Sequence, residues 1–121
     1  MARQISFATL GNEFLHKMRD QISNSEDKID LGNSFSYIVS GFLGKVFAEK
    51  EINIEDDSIL FDPEAENYYS INSELLDQGD FSETWQNSDL PNLIKKFADS
   101  TYHRYIHLNK HKEKTDRKIR N

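Results

Sequence analysis

The stretch Asn33-Ser34-Phe35-Ser36-Tyr37-Ile38-Val39-Ser40-Gly41-Phe42-Leu43-Gly44-Lys45-Val46-Phe47-Ala48 decides the fold class. Within it Phe35, Ile38, Val39, Phe42, Leu43, Val46 and Phe47 recur at i, i+3, i+4 and i+7, the spacing that lines one face of an α-helix. The pattern predicts a central helix over 33–50. Asn33 or Ser34 would cap it, since a short side-chain oxygen accepts from the unpaired N–H groups of a first turn. Ser36, Ser40, Gly44 and Ala48 fall at strict four-residue spacing and add a second stripe, of small side chains. Gly41 and Gly44 each weaken a helix by roughly 1 kcal/mol relative to alanine. The stripe therefore predicts close approach of another backbone, either in a packed core or at a homodimer seam through Ser36, Ser40, Gly44 and Ala48.

Upstream, Phe7, Leu10, Phe14, Met18 and Ile22 recur three or four apart and predict a first amphipathic helix over 4–22. The loop chemistry of Ser23 to Asp27 ends it. Downstream, Ile52 and Ile54 alternate with polar residues, and Ser58 to Phe61 can return across Asp56-Asp57. Residues 51–62 thus read as a short hairpin or a loop. Asp62-Pro63-Glu64 looks like a helix start with Gly79 placed to end it, although Tyr68 to Asn72 also fits an extended chain. Asp80 to Glu83 has capping-box spacing for a short helix through Trp85. Leu90, Leu93, Ile94, Phe97, Ala98, Thr101, Tyr105 and Leu108 then line a long C-terminal helix, whose end is held in register by opposite-charge pairs such as Glu113–Arg117. The expected fold is mainly α, a compact bundle of about four helices with a short β-hairpin near 51–62 and a long C-terminal helix. Residues 1–110 form one helical domain, and 111–121 form a basic, solvent-exposed tail that extends the helix or frays.

At 121 residues, with eight Phe, five Tyr and one Trp, the chain has length and apolar anchors for one real core. It has no cysteine, so disulfide frameworks, thiolate metal sites and cysteine nucleophiles are excluded. No signal peptide is apparent, and the longest apolar stretch, 38–48, falls far short of the ~20 residues a bilayer requires. A cytoplasmic location is expected.

The net charge of −6 conceals a split. Residues 1–48 balance five acids with five bases. Residues 49–89 set thirteen acids against Lys50 alone, and residues 90–121 set nine bases against three acids. The acidic block also holds Tyr68, Tyr69, Phe81 and Trp85. Charge for steering and aromatics for anchoring are what a charge-complementary protein interface uses. Its expected partner-binding residues are Glu55, Asp56, Asp57, Asp62, Glu64, Glu66, Tyr68, Tyr69, Asp77, Asp80, Phe81, Glu83 and Trp85. Calcium binding through Asp62, Glu64 and Glu66 fails the twelve-residue loop pattern, since Ser73 stands where the bidentate glutamate belongs.

The basic end offers the alternative of a nucleic-acid-associated regulator. Arg104, Lys110, Lys112, Lys114, Arg117, Lys118 and Arg120 would neutralise phosphates, and Tyr102 and Tyr105 would stack on bases. Asp99, His103, His107 and His111 lie at strict i+4 spacing, so one helix face would carry a carboxylate and three imidazoles, a minor metal-binding or acid–base alternative. A metal would need a further ligand from another element, such as His16, and the neighbouring lysines repel a cation. Arg104 and His111, with six residues between them, loosely resemble the Arg–His motif of the HEPN ribonuclease family. That resemblance covers these two residues only, and Tyr105 stands where the motif expects a polar residue.

The preferred expectation is a small acidic, non-catalytic protein-binding module with a basic protein partner and no cofactor. In size and charge it is similar to bacterial toxin-immunity proteins, antitoxins and phage inhibitors that mimic nucleic-acid charge.

Overall fold

Phe42 sits where three helices meet. Its ring packs on Phe14 at 5.7 Å and edge-on to Phe97 at 5.1 Å, which ties the central helix to the first and the last. The computed structural model describes residues 6–48, 50, 52, 54–55 and 57–120, the side chains of 109–120 excepted. In chain order the elements are α1 (Ala8–Ser23), α2 (Lys28–Val46), β1 (Ile59–Phe61), β2 (Tyr69–Ile71), α3 (Ser73–Leu76), α4 (Gly79–Gln86) and α5 (Leu90–Arg120). The chain is mainly helical, as its periodicity predicts, and α1, α2 and α5 each pack against the other two.

α1 buries Phe14, Met18 and Ile22 of the predicted stripe together with Gly11, while Phe7 and Leu10 are only partly buried against the core. Its N-cap residue, Phe7, offers no side-chain acceptor, although Ser6 Oγ accepts from the Ala8 N–H at 3.3 Å. Asp89, just before α5, instead accepts from the Phe7 N–H at 2.9 Å and the Ser6 hydroxyl at 2.9 Å. The start of α5 is left to Ser88, whose Oγ accepts from the Leu90 N–H at 3.2 Å.

α2 begins five residues earlier than the apolar pattern indicates. Asp27, in extended conformation, caps it by accepting from the Asp30 N–H at 2.7 Å. Asn33 and Ser34 lie inside the helix, and Ser34 is buried facing Ser25, their hydroxyls 3.3 Å apart. Of the predicted face Phe35, Ile38, Val39, Phe42 and Leu43 are buried and Val46 is partly buried, and the earlier start adds Leu31. The two glycines singled out in α2 are not closely approached. A Cβ on Gly44 would meet nothing within 4 Å, and one on Gly41 only the edge of Phe14 at 3.4 Å. The tight approach is at Gly11, where a Cβ would lie 2.8 Å from Leu93 Cδ2, so α1 and α5 close against each other there.

The expected return strand 58–61 exists as β1, but its partner lies downstream at β2 and not at Ile52 and Ile54. β1 pairs antiparallel with β2 in the register Ile59 to Ile71, Leu60 to Ser70 and Phe61 to Tyr69. Ile52 and Ile54 pack partly buried against the core without pairing. The helix expected from Asp62 is instead the hairpin connection. Asp62 Oδ1 accepts from the Glu64 N–H at 3.0 Å, the Ala65 N–H donates to the Asp62 carbonyl, and the Asp62 N–H donates to the Tyr68 carbonyl to close the loop. Asp, Pro and Glu suit a turn as well as a helix start, and pairing of the two apolar triplets favours the turn. Tyr68 adopts φ 67°, the left-handed region a bulky residue rarely visits. Gly79 opens α4 rather than closing a helix, and Asp80 lies in the first turn of α4 rather than capping it.

α5 runs the whole predicted length from Leu90 to Arg120, roughly 45 Å at 1.5 Å per residue. Leu90, Leu93, Ile94, Phe97, Ala98 and Thr101 are buried, and Tyr105 and Leu108 pack half-buried against the core. Among the described residues, no helix is long and apolar enough to cross a membrane.

Candidate functional site

The acidic block forms the hairpin connection, α3 and α4. Tyr69 on β2 meets Trp85 on α4 edge to face at 6.3 Å, and Trp85 stacks on Phe81 at 5.5 Å, so the sheet and α4 lie side by side. Around this seam Glu64, Glu66, Asp77, Asp80 and Glu83 are exposed, as is Asp57 before β1. None of these six forms an ion pair among the described residues. Their charges are left to water, which makes the surface strongly negative and leaves its energetics open to salt. Glu55 is exposed and its carbonyl accepts from the Ser40 hydroxyl at 3.3 Å. Asp62 is half-buried, its carboxylate engaged in the turn. Asp56 lies outside the described residues.

The aromatics predicted to anchor a partner divide into core and surface. Phe81 is fully buried and packs on Phe47 at 5.6 Å, so it belongs to the core and has no face to offer a partner. Tyr68 is half-buried and stacked on Tyr102 with ring centroids 3.9 Å apart. Tyr69 and Trp85 are half-buried and remain the anchors within reach of a partner. Partial burial raises the Tyr69 phenol above its usual pKa by desolvating the phenolate.

The described members of the histidine stripe do not gather into a metal-binding group. Asp99 pairs with Lys95 at 3.2 Å one turn back, and His103, His107 and His16 are exposed. No group of three or more His, Asp or Glu able to hold an ion occurs among the described residues; the side chain of His111 lies outside them. Arg104 is not wholly free to contact phosphate, because one of its nitrogens is committed within the fold. It crosses from α5 to the α1–α2 loop and donates from Nη2 to the carbonyl of Ser25, itself buried, at 2.9 Å. Tyr102 and Tyr105 are not free stacking platforms either, since Tyr102 is covered by Tyr68, and Tyr105 meets Phe61 at 5.9 Å with Lys28 Nζ 5.1 Å over its ring. Lys110, Lys112, Lys114, Arg117, Lys118 and Arg120 ride on α5, their side chains outside the described residues.

The small-residue stripe of α2 is divided. Ser36 is half-buried, Ser40 is tied to the chain before β1, and Gly44 and Ala48 are exposed. No family model, curated protein or solved structure matches the chain.

Proposed function

We propose that the chain is a small, non-catalytic, acidic protein-binding module that inhibits a basic, nucleic-acid-processing partner, in the manner of toxin-immunity proteins, antitoxins and charge-mimicking phage inhibitors. The observation that carries this reading is the set of exposed carboxylates, unpaired among the described residues, in the same segment of chain as the half-buried Tyr69–Trp85 pair. Unpaired surface acids repel one another and destabilise the free fold slightly. A basic partner removes that repulsion and gains speed of encounter from it. Tyr and Trp bring large contact area with little side-chain entropy to lose, which suits them to the centre of such an interface. In this reading the chain works in the cytoplasm.

The test is affinity capture from cells of the natural source, with wild type beside the charge-reversed variant Asp77→Lys/Asp80→Lys/Glu83→Lys. Wild type is expected to retain a basic, nucleic-acid-processing protein at low salt, to release it as ionic strength rises, and to inhibit its activity when the two are mixed. The reversed variant is expected to retain none. Equal capture by both proteins, or a complex indifferent to salt, overturns the reading.

A further inference from the structure

A second surface, of opposite character, lies between α1 and α5. Arg19, Ile22 and Ser23 on one side and Ser100, His103 and Arg104 on the other line an open cleft of about 420 Å³. The lining holds two guanidinium groups and an imidazole and contains no carboxylate. Arg19 and His103 are exposed, and neither forms an ion pair or hydrogen bond among the described residues. Asp99, the nearest acid on α5 to His103 by sequence, is held by Lys95.

Arg104 gives the cleft its chemistry. Nη2 is committed to the Ser25 carbonyl, which fixes the plane of the guanidinium. Nε is buried with no acceptor. A guanidinium has five donors and a charge that delocalises over all three nitrogens. Among the described residues, one nitrogen is bonded, one is shielded from water without a partner, and no carboxylate pairs with the group. A shielded donor without an acceptor costs free energy, and an anion docking in the cleft offsets that cost through charge. The Ser23 hydroxyl donates to the Asp20 carbonyl at 2.8 Å, whereas the Ser100 hydroxyl has no partner among the described residues and is available to donate. The donors therefore approach from two helices.

We propose that this cleft binds the phosphate group of a small phosphate monoester. The free guanidinium of Arg19, the remaining Nη donors of Arg104, an imidazole and a hydroxyl on two walls concentrate positive charge and donors that favour the dianion of a phosphate monoester over the single charge of a carboxylate. The volume falls in the range of small-molecule sites, larger than a bare phosphate needs. Ile22 and the arginine stems supply the apolar wall against which the organic part of an ester packs.

The experiment is a two-dimensional ¹H–¹⁵N NMR titration of the full chain with inorganic phosphate, phenyl phosphate, and acetate or chloride at matched ionic strength. Saturable shifts centred on the amides of 19–25 and 100–104 are expected with both phosphates, with phenyl phosphate the tighter. Arg19→Gln and His103→Gln, both at exposed positions, should each weaken binding, and the double variant by about tenfold or more. Arg104→Lys keeps the charge but loses the fork. It should weaken binding as well, and a thermal melt of each variant separates that loss from unfolding. Equal shifts with acetate or chloride, shifts that do not saturate, or undiminished binding by the folded Arg19→Gln/His103→Gln variant would overturn the proposal.

Discussion

Gly11 and Gly44 are the same residue type in the same kind of element, and their surroundings give them opposite consequences. A methyl at Gly11 would lie 2.8 Å from Leu93 Cδ2, so the buried Leu93 side chain must shift within the core to admit it. Overpacking of this kind costs about 1–3 kcal/mol, more than the helix propensity alanine returns. Gly11→Ala is therefore expected to destabilise by about 1 kcal/mol net, and Gly44→Ala, with open space, to stabilise by roughly 0.5–1 kcal/mol. Urea denaturation of both variants checks the pair of signs. Tyr69 supplies a pH dependence. Its folded pKa lies above the unfolded value near 10, so the unfolded state loses its proton first as pH climbs. Stability should fall through the window that opens near pH 10, and Tyr69→Phe should flatten that alkaline decline in melts recorded across it. Phe81→Ala belongs to a different class. It empties a fully buried site, is expected to cost about 3–5 kcal/mol, and would report on the core rather than on partner binding.

At the scale of the element, caps decide where helices begin, and apolar spacing does not. The first turn of α2 contains Lys28, Ile29 and Asp30, of which Ile29 is 78% exposed, so hydrophobic pattern gives no sign of a helix there. Asp27 supplies the acceptor and a negative charge beside the positive end of the helix dipole. Asp27→Ala is expected to destabilise by about 1 kcal/mol and to speed amide exchange in the turn 28–31, measurable by hydrogen exchange. The segment 62–76 shows the reverse case. Its acids, proline and tyrosines satisfy local helix rules, but Ile59 gains a buried position, and Phe61 a contact with Phe35 at 5.9 Å, only when β1 pairs with β2 and lies on α2. A two-stranded ribbon is marginal alone, and the helix beneath it makes this one stable.

Across the whole molecule, negative and positive regions occupy different elements around a shared three-helix core. The hairpin connection, α3 and α4 carry the unpaired acids, while the outer part of α5 carries the basic residues. If the acidic region is the partner surface, deleting 110–121 should leave capture of a basic partner intact while removing any affinity for nucleic acid. Gel-shift and capture assays on the truncated protein read both. Loss of the protein partner on truncation would transfer the interface to α5. Salt acts in the same direction on either surface, since exposed charges are screened over about 10 Å at 0.1 M, so the deletion is what tells the two surfaces apart.

The sequence by itself determined the three core helices, most of the residues they bury, the length of α5 and the segregation of charge, because periodicity and composition are properties of one chain segment at a time. It did not reveal that Phe81 is core and Trp85 only partly so, since both are large apolar side chains in an acidic stretch and only the position of α4 over Phe47 and Tyr69 separates them. Nor could it reveal the cleft. Arg19 and Ser23 are one turn apart on α1, and Ser100, His103 and Arg104 share a face of α5, but seventy-six residues lie between Ser23 and Ser100. The close approach of α1 and α5 at Gly11, and the reach of Arg104 to the Ser25 carbonyl, bring them onto one surface. Tertiary packing decided which pattern met which, because a side chain's neighbours across a helix interface are set by how the elements dock.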